Sequence, residues 1–343
     1  MNRQWRTRLE QDGARFAADE LSDFGDRAEE LAAARDATVV VPLLHLGAIR
    51  VSGPDAGDFL HNLTTNDVHK LRPDAAQYNS FCTAKGRMLA SFLVWRDAGE
   101  YLLSLSRDLH AAILKKLGLY VLRSKVKLAD ASDDVVLLGL AGKDAAAALA
   151  AVGASAPEAE FAVTRFTGGA VIRLTVQRYS LALNPAAAAD VWQGLATVAR
   201  RAGTDVWRWI ETAAGVPLIT APTQDEFVPQ MTNFELIGGL SFGKGCYPGQ
   251  EVVARSQYLG KIKRRMYLGH LSSRDAPTAG TPVFSADLPE QSCGMVVSAA
   301  AAPGGGFDLL AVLLTAAAEG SDIRLGAPDG PHIELRSLPY AVS

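Results

Sequence analysis

The sequence predicts an α+β protein with more than one domain. Its 343 residues exceed the roughly 100–200 residues of a typical domain. Before residue 262, runs with the alternation of strands are interspersed with segments of helical spacing, which indicates a mixed architecture. From residue 263 onward only short strand-like runs occur, separated by Gly, Pro and Asp, as in a small all-β barrel or sandwich.

Composition narrows the class of protein. The formal net charge is −3, from 34 basic and 37 acidic residues, which excludes a protein that acts mainly through a basic surface. The three cysteines, Cys82, Cys246 and Cys293, leave at least one thiol free, a usage typical of a reducing compartment. Because no run approaches the roughly 20 apolar residues of a membrane span and the N-terminus lacks an apolar signal-peptide core, we expect a cytoplasmic protein without membrane contact.

The first predicted elements are helical. Residues 3–36 predict one or two charged amphipathic helices that form a surface-packed or partly mobile arm. Residues 39–51 predict two strands with a break near Pro42. The next helix begins after Ser52-Gly53-Pro54. Its buried face is defined by apolar residues at helical spacing, namely Ala56, Phe59, Leu60 and Leu63.

The following elements alternate between strands and helices. Paired strands at 77–83 and 88–96 flank a turn at 84–87. The later predictions, in order, are a strand at 100–105, a helix at about 107–122, a strand at 134–140, a helix at about 143–152, strands near 161–166, 170–176 and 179–183, and a helix at about 186–202.

The segment 229–255 (PQMTNFELIGGLSFGKGCYPGQEVVAR) carries the most unusual sequence. A phosphate-binding loop fits 238–244 as G-x-x-x-x-G-K, but Gly245 stands where a Ser or Thr would bind Mg²⁺. A dinucleotide fingerprint is excluded because the spacing from Gly243 to Gly249 is one residue too long and the surroundings are not βαβ.

A third interpretation of this segment is a positioned thiol at Cys246. Pro248 suits the first turn of a helix that runs to about Tyr258 and stops at Gly260, so Cys246 would lie just before a helix N-terminus. There the helix macrodipole favours the thiolate, and Lys244 would add to the effect. Local chemistry alone leaves open whether Cys246 is reactive or is a buried structural cysteine.

The string KGCYPGQE, from Lys244 to Glu251, resembles the signature of the YgfZ family of folate-binding proteins, which are related in fold to the glycine-cleavage T-protein (aminomethyltransferase). Further matching segments are 53–56, 63–67, 83–88, 214–217, 229–233 and 338–340. The resemblance covers most of residues 38–343 and leaves the first 37 residues uncovered.

The resemblance implies a three-domain, T-protein-like ring around a central tetrahydrofolate site. Its parts would be an N-terminal helical arm at 1–37, a discontinuous folate-binding domain at 38–130 plus 207–262, an α+β lobe at 131–206 and a C-terminal β-barrel at 263–343. It also implies a protein that supports assembly or maintenance of iron–sulfur enzymes, including one that modifies tRNA. The expected cofactor is tetrahydrofolate or a one-carbon derivative, and the expected partners are folate and iron–sulfur client enzymes.

The resemblance also implies site residues. The family's cysteine and lysine correspond to Cys246 and Lys244, the expected catalytic pair, and a tryptophan at the folate site corresponds to Trp207. The other candidates for cofactor binding are Gln230, Asn233, Tyr247, Gln250, Glu251 and Arg255. Most have structural alternatives: core packing for Trp207, turn formation for Gln230 and Asn233, helix capping for Glu251, and an ion pair with Glu251 for Arg255.

The chain departs from its relatives at three positions. T-proteins carry a catalytic Asp just after the turn at 84–87, whereas residues 88–92 (MLASF) contain no acid, which argues against aminomethyl transfer. A Glu expected two residues before Gly215 is Ala213, and a tryptophan expected near the first strand is Leu46. Three hypotheses follow: a folate-binding accessory protein, a folate-dependent one-carbon transferase, and a non-catalytic interaction scaffold.

Metal and nucleic-acid sites are not expected. The six histidines show no ligand spacing, and the cysteines form no CxxC pair. The basic run of Lys261, Lys263, Arg264 and Arg265 is more typical of a solvated strand edge than of an RNA contact, so we expect no stable nucleic-acid binding.

Overall fold

The computed structural model describes residues 2–17, 20–258, 262–288, 290–320 and 322–342, and for residues 256–258 it describes the backbone alone. The predicted helix stop Gly260 and the first residue of the basic run, Lys261, lie outside the described residues.

Helices and strands alternate along the described chain. The α-helices are α1 (Arg3–Gln11), α2 (Arg27–Asp36), α3 (Ala56–Leu63), α4 (Arg107–Gly118), α5 (Ala145–Ala151), α6 (Pro185–Leu195), α7 (Thr204–Ala213), α8 (Gln250–Tyr258) and α9 (Thr315–Ala318). The 3₁₀ helices are η1 (Val68–Lys70), η2 (Ala221–Thr223) and η3 (Pro229–Thr232).

The strands group into four sheets. They are β1 (Arg15–Ala17), β2 (Glu20–Asp23), β3 (Thr38–Pro42), β4 (Leu46–Ser52), β5 (Ala76–Cys82), β6 (Met88–Asp97), β7 (Glu100–Ser106), β8 (Lys127–Asp130), β9 (Val136–Gly142), β10 (Val163–Phe166), β11 (Gly169–Thr175), β12 (Arg178–Leu183), β13 (Arg200–Arg201), β14 (Arg264–Leu271), β15 (Pro282–Ser285), β16 (Gly294–Ala301), β17 (Phe307–Leu314), β18 (Ile323–Leu325) and β19 (Ile333–Arg336). Besides the β1–β2 hairpin, the sheet orders are β10-β11-β12-β9-β3-β13, β18-β15-β16-β17-β14-β19 and β5-β6-β7-β4-β8.

The chain divides into two compact units. The first comprises Met1–Ala56, Leu71–Gln77 and Leu93–Trp207, and the second comprises Gly57–Lys70, Tyr78–Phe92 and Arg208–Ser343. The three-domain division expected from the resemblance stays a prediction.

The first unit has a six-stranded sheet covered by helices. Strands β9 to β12 and β3 pair antiparallel, and β13 adds to β3 in parallel. Apolar side chains of this sheet pack with α5 and α6 into one core, which also includes Trp5 and Leu9 of α1. The N-terminal segment was predicted as a surface-packed or partly mobile arm. Its helices are confirmed, but Leu9 is fully buried and the β1–β2 hairpin between the helices was not predicted.

The second unit contains the C-terminal sheet, which confirms the predicted all-β barrel. All its strand pairs are antiparallel, from β18 at one edge to β19 at the other. A bridge between Arg324 of β18 and His332, beside β19, brings the two edges together, so the barrel is nearly closed. Together with the mixed first unit, this confirms the α+β fold class. None of the described helices is both long and apolar enough to cross a membrane.

Candidate functional site

The segment with the unusual sequence lies in the second unit as a loop between η3 and α8. Helix α8 begins at Gln250, two residues after the predicted start at Pro248. Cys246 therefore lies before this helix, as predicted, but four residues ahead of its first residue instead of two.

The three thiols have different environments. Cys246 is exposed, whereas Cys82 and Cys293 are buried. Burial raises the pKa of Cys82 to about 12, against a smaller opposing effect of its hydrogen bond with Ser80. Burial also raises the pKa of Cys293. Cys246 is therefore the one cysteine of the three that is exposed to solvent.

Lys244 holds the loop to the end of α3. Its ammonium is buried and donates hydrogen bonds to the backbone carbonyls of His61 and Thr64, and to that of Asn66 at 3.2 Å. These carbonyls belong to the last turn of α3 and the residues that follow it, where the helix dipole favours a cation. Burial lowers the pKa of Lys244 to about 8, although the Asp67 carboxylate acts in the opposite direction. The three donors of the ammonium are thus used by the fold.

Tyr247 anchors the other side of Cys246. Its ring packs in a small buried cluster with Leu240 and Val253, and the Lys244 ammonium lies 5.0 Å from the ring centroid. Burial raises the pKa of the Tyr247 phenol. The side chain of Gln250 donates to the Lys244 carbonyl at 3.4 Å. The exposed Cys246 therefore lies in the chain between two buried side chains, those of Lys244 and Tyr247.

Gly249 brings the loop against the turn between β5 and β6. Its φ is +82°, and a Cβ at this position would lie 2.4 Å from the Thr83 carbonyl oxygen and 2.5 Å from Gly86. Only glycine fits so close an approach of two backbones with this conformation. The match of this glycine to the family signature thus has a steric reason.

Gln230 and Asn233 are fully buried. The Gln230 amide donates to the Val253 carbonyl at 2.6 Å, and the Asn233 amide donates to the Met266 carbonyl at 2.8 Å. Asn233 has φ +55°, a left-handed conformation that asparagine tolerates. Both side chains therefore tie η3 to the backbone of other elements, Gln230 to α8 and Asn233 to β14.

The three other predicted site residues differ in exposure: Glu251 and Arg255 are exposed, whereas Trp207 is buried. Glu251 and Arg255 are exposed on α8. Trp207 belongs to the first unit, is 1% exposed, and lies so close to Gly139 that a Cβ there would meet its ring at 2.3 Å. The structure brings Lys244, Cys246, Tyr247 and Gln250 together in the second unit.

The basic run at 261–265 was predicted as a solvated edge, and for Arg265 this is wrong. Arg265 is 5% exposed and pairs with Glu235, and it also donates to the Gln230 carbonyl at 2.9 Å. Burial raises the pKa of Glu235, with Arg265 opposing the shift. The Arg265 guanidinium therefore binds η3 and the first part of the loop that follows it.

A cluster that the sequence analysis missed lies beside Lys244. His61 at the end of α3, Asp67, and His69 of η1 have potential ligand atoms within 4.8 Å of one another. Burial and the Lys244 charge lower the pKa of His61, against an opposing effect of the Asp67 carboxylate. The statement that the histidines show no ligand spacing was wrong for these residues, because a helix end followed by a 3₁₀ turn brings positions 61, 67 and 69 together. The H-x₅-D-x-H pattern at a predicted helix end was the available signal.

The first five residues of β6, which follow the turn, carry no carboxylate. Residues 88–92 of β6 are all buried, and Ser91 is the only polar side chain among them. Its hydroxyl donates to the Pro217 carbonyl at 3.3 Å and accepts from the Ile219 amide at 3.0 Å. Residues 88–92 therefore offer no acid to a reacting group.

Comparisons with known proteins agree with this fold. Residues 13–207 match the family model of the GCVT N-terminal domain. The glycine cleavage system aminomethyltransferase T from Bartonella henselae has a TM-score of 0.83 at 18% identity, covering 99% of this chain and 97% of that one. These findings define a protein of the aminomethyltransferase fold.

Curated relatives make the assignment more specific. The chain is 34% identical over 67% of its length to the tRNA-modifying protein YgfZ of Klebsiella pneumoniae (strain 342), covering 71% of that protein. It is 30% identical over 91% of its length to the tRNA-modifying protein YgfZ of Cronobacter sakazakii, covering 95% of it. The chain belongs to the YgfZ family, and the predicted resemblance is confirmed.

Proposed function

We propose that this chain is a cytoplasmic accessory protein that binds tetrahydrofolate or a one-carbon derivative and supports the assembly or maintenance of iron–sulfur enzymes, including one that modifies tRNA. In this proposal Cys246 is the reactive thiol. The relatives named above support the connection with tRNA, and the fold shared with an aminomethyltransferase supports the connection with folate.

The observation that carries the proposal is the presentation of Cys246. Its thiol is exposed, while the residues on both sides, Lys244 and Tyr247, are buried and fixed. A surface cysteine without function needs no such support. A thiol that must meet a partner protein or ligand gains from being held on a rigid loop, because less conformational freedom is lost on binding.

Buried polar atoms without partners support a ligand of the pterin type. Trp207 Nε1 and Gln230 Oε1 have no hydrogen-bond partner among the described residues. Such atoms are rare in folded proteins unless a ligand or water completes them. Tetrahydrofolate would supply ring donors and acceptors, together with amine nitrogens that carry one-carbon units. Gln230, in the second unit, is accordingly proposed to hold it, and Trp207, in the first unit, stays a separate candidate from the resemblance.

The alternative of a one-carbon transferase lacks support in β6. Aminomethyl transfer needs a carboxylate near the folate amines, and residues 88–92 provide none. We therefore favour an accessory protein over an enzyme of the aminomethyltransferase type.

The cellular test replaces the thiol. In cells whose own copy of the gene is deleted, Cys246→Ala and Cys246→Ser should fail to restore a tRNA modification made by an iron–sulfur enzyme. Gly243→Ala is the matched control, because Gly243 lies in the same loop and an added Cβ meets nothing within 4 Å. The modified fraction of the tRNA is measured by mass spectrometry. Full restoration by both cysteine variants would refute the role of the thiol.

Folate binding is tested separately with the purified protein. Tetrahydrofolate should quench the tryptophan fluorescence of the wild-type chain in a saturable manner. Trp207→Phe should remove most of the quenching, and Trp209→Phe is the control because its indole nitrogen donates to Asp308 at 2.8 Å in the second unit. Quenching that is unchanged in Trp207→Phe would argue against this residue as part of the folate site.

A further inference from the structure

We propose that His61, Asp67 and His69 form a binding site for one divalent transition-metal ion. The three residues lie within nine positions of the chain, and their potential ligand atoms are all within 4.8 Å of one another. The proposal does not depend on the proposed function, since it rests on this cluster alone.

His61 and Asp67 are already placed as two ligands of one ion. His61 Nδ1 lies 3.2 Å from Asp67 Oδ1, and both side chains are about nine-tenths buried, with exposures of 10% and 11%. Two ligand atoms at tetrahedral angles around an ion with bonds of about 2.0–2.1 Å are separated by about 3.3 Å. The observed separation is that of adjacent ligands.

These two atoms also lack partners. His61 Nδ1 and Asp67 Oδ1 are buried, and neither makes a hydrogen bond within the part of the chain that the structure describes. A buried nitrogen and a buried carboxylate oxygen that face each other without a hydrogen bond are costly. A metal ion between them would satisfy both.

The backbone between the ligands is rigid. Thr65 donates its hydroxyl to the Gly239 carbonyl at 2.8 Å, and Asn66 donates its side-chain amide to the Gly238 carbonyl at 2.7 Å. The Asn66 backbone amide donates to Asn79 Oδ1 at 2.7 Å. The residues that connect α3 to η1 are thus fixed on the loop 238–249, which orients His61 and Asp67 before any ion binds.

His69 supplies the third ligand from the solvent side. Its ring stacks on His61 with centroids 3.8 Å apart and an interplanar angle of 6°, and its Nε2 lies 2.8 Å from Asp58 Oδ1. Parallel rings do not direct their lone pairs at one point, so ligation requires the His69 ring to turn. Its side chain is 52% exposed, which leaves space for that rotation.

The donor set selects the class of ion. Two imidazole nitrogens and one carboxylate oxygen suit Zn²⁺ or Fe²⁺, whereas Mg²⁺ and Ca²⁺ prefer oxygen ligands alone. The Lys70 ammonium, 3.3 Å from Asp67 Oδ2, is on a side chain that is 76% exposed and can move into solvent. The Nε2 side of the His61 ring, away from the proposed ion, faces the signature loop, since a Cβ on Gly245 would lie 3.6 Å from Nε2.

The test is direct metal binding by the full-length chain after treatment with a chelator. Calorimetric titration with Zn²⁺ should show one ion bound per chain with a dissociation constant in the micromolar range or below. His69→Ala and Asp67→Asn should each weaken binding at least about tenfold. His69→Ala replaces a half-exposed residue, so the variant should fold, which circular dichroism checks.

The matched control is His332→Ala. His332 is also an exposed histidine bonded to a carboxylate, with Nδ1 2.7 Å from Asp322 Oδ1, but it is not part of the cluster. Unchanged Zn²⁺ binding in this variant supports the assignment. The proposal is overturned if the wild-type chain binds no Zn²⁺ in this range, or if His69→Ala and Asp67→Asn bind it as tightly as the wild type.

Discussion

Lys244 and Cys246 are separated by one glycine, yet their environments are opposite. Lys244 is 7% exposed, and its ammonium donates three hydrogen bonds to backbone carbonyls at the end of α3. Cys246 is exposed to solvent. The lysine therefore holds the loop to the end of α3, and the cysteine is exposed on that loop.

Selective alkylation tests the exposure of Cys246. At neutral pH, iodoacetamide should modify one thiol per folded chain, because Cys82 and Cys293 are buried and their raised pKa values keep them protonated. Peptide mapping should place the adduct on Cys246. After unfolding in urea, all three should react. Rapid labelling of Cys82 in the folded protein would contradict the structure.

Replacing Lys244 tests its structural role. Lys244→Met should lower the free energy of unfolding by about 2–3 kcal/mol, because carbonyls at the end of α3 lose their donor. Denaturant titration measures the change. Lys115→Met is the control: its side chain is exposed on α4, so a change of no more than about 0.5 kcal/mol is expected. Equal effects of the two variants would contradict the capping role.

At the scale of elements, the contact between the signature loop and the β5–β6 turn depends on Gly249. Gly249→Ala should destabilise the protein by about 1–3 kcal/mol, since its Cβ would meet backbone atoms at 2.4–2.5 Å in a conformation with positive φ. Thermal unfolding measures the loss. Gly243→Ala, in the same loop but with open space around it, should change stability far less.

Most elements could be predicted from local pattern. The strand at 88–96 is β6 (Met88–Asp97), and the strand at 100–105 is β7 (Glu100–Ser106), because alternation and turn residues specify both. The helix predicted to about 122 ends at Gly118 instead. The residues that carried the prediction, Leu109, Ile113 and Leu117, are all buried in this helix. Beyond its end, Leu119 and Leu122 are exposed, at 69% and 87%, so the last predicted turn has no buried apolar face to stabilise it.

The candidate site could be predicted only in part. The signature identified Lys244 and Cys246, but the partners of the Lys244 ammonium lie some 180 positions earlier in the chain, and local pattern carries no information on such contacts. The same holds for His61 and Asp67, whose side chains meet because of a helix end and a 3₁₀ turn. Arg265 was misjudged because Glu235, its buried partner, is distant in sequence.

At the scale of the whole molecule, the N-terminal segment is part of the first unit's core. Trp5 makes an edge-to-face contact with Trp192 at 5.9 Å, and Leu9 is fully buried in the same core. Leu9→Ala should therefore cost about 3 kcal/mol in the free energy of unfolding. Leu122→Ala, at an exposed position, should stay within about 0.5 kcal/mol of wild type. A negligible effect of Leu9→Ala would restore the interpretation of a loose arm.

The hydrogen bond from Lys244 to the Thr64 carbonyl joins residues 180 positions apart in the chain. Closing so long a loop costs entropy that only other native contacts repay, so this bond forms late in folding. A nascent or partly unfolded chain therefore exposes Cys246 on an unanchored segment, without the neighbours that shape its surroundings. The surroundings of the thiol are in this way complete only in the folded chain, so a partner that recognised them, as proposed for Cys246, would bind folded molecules and not unfolded ones.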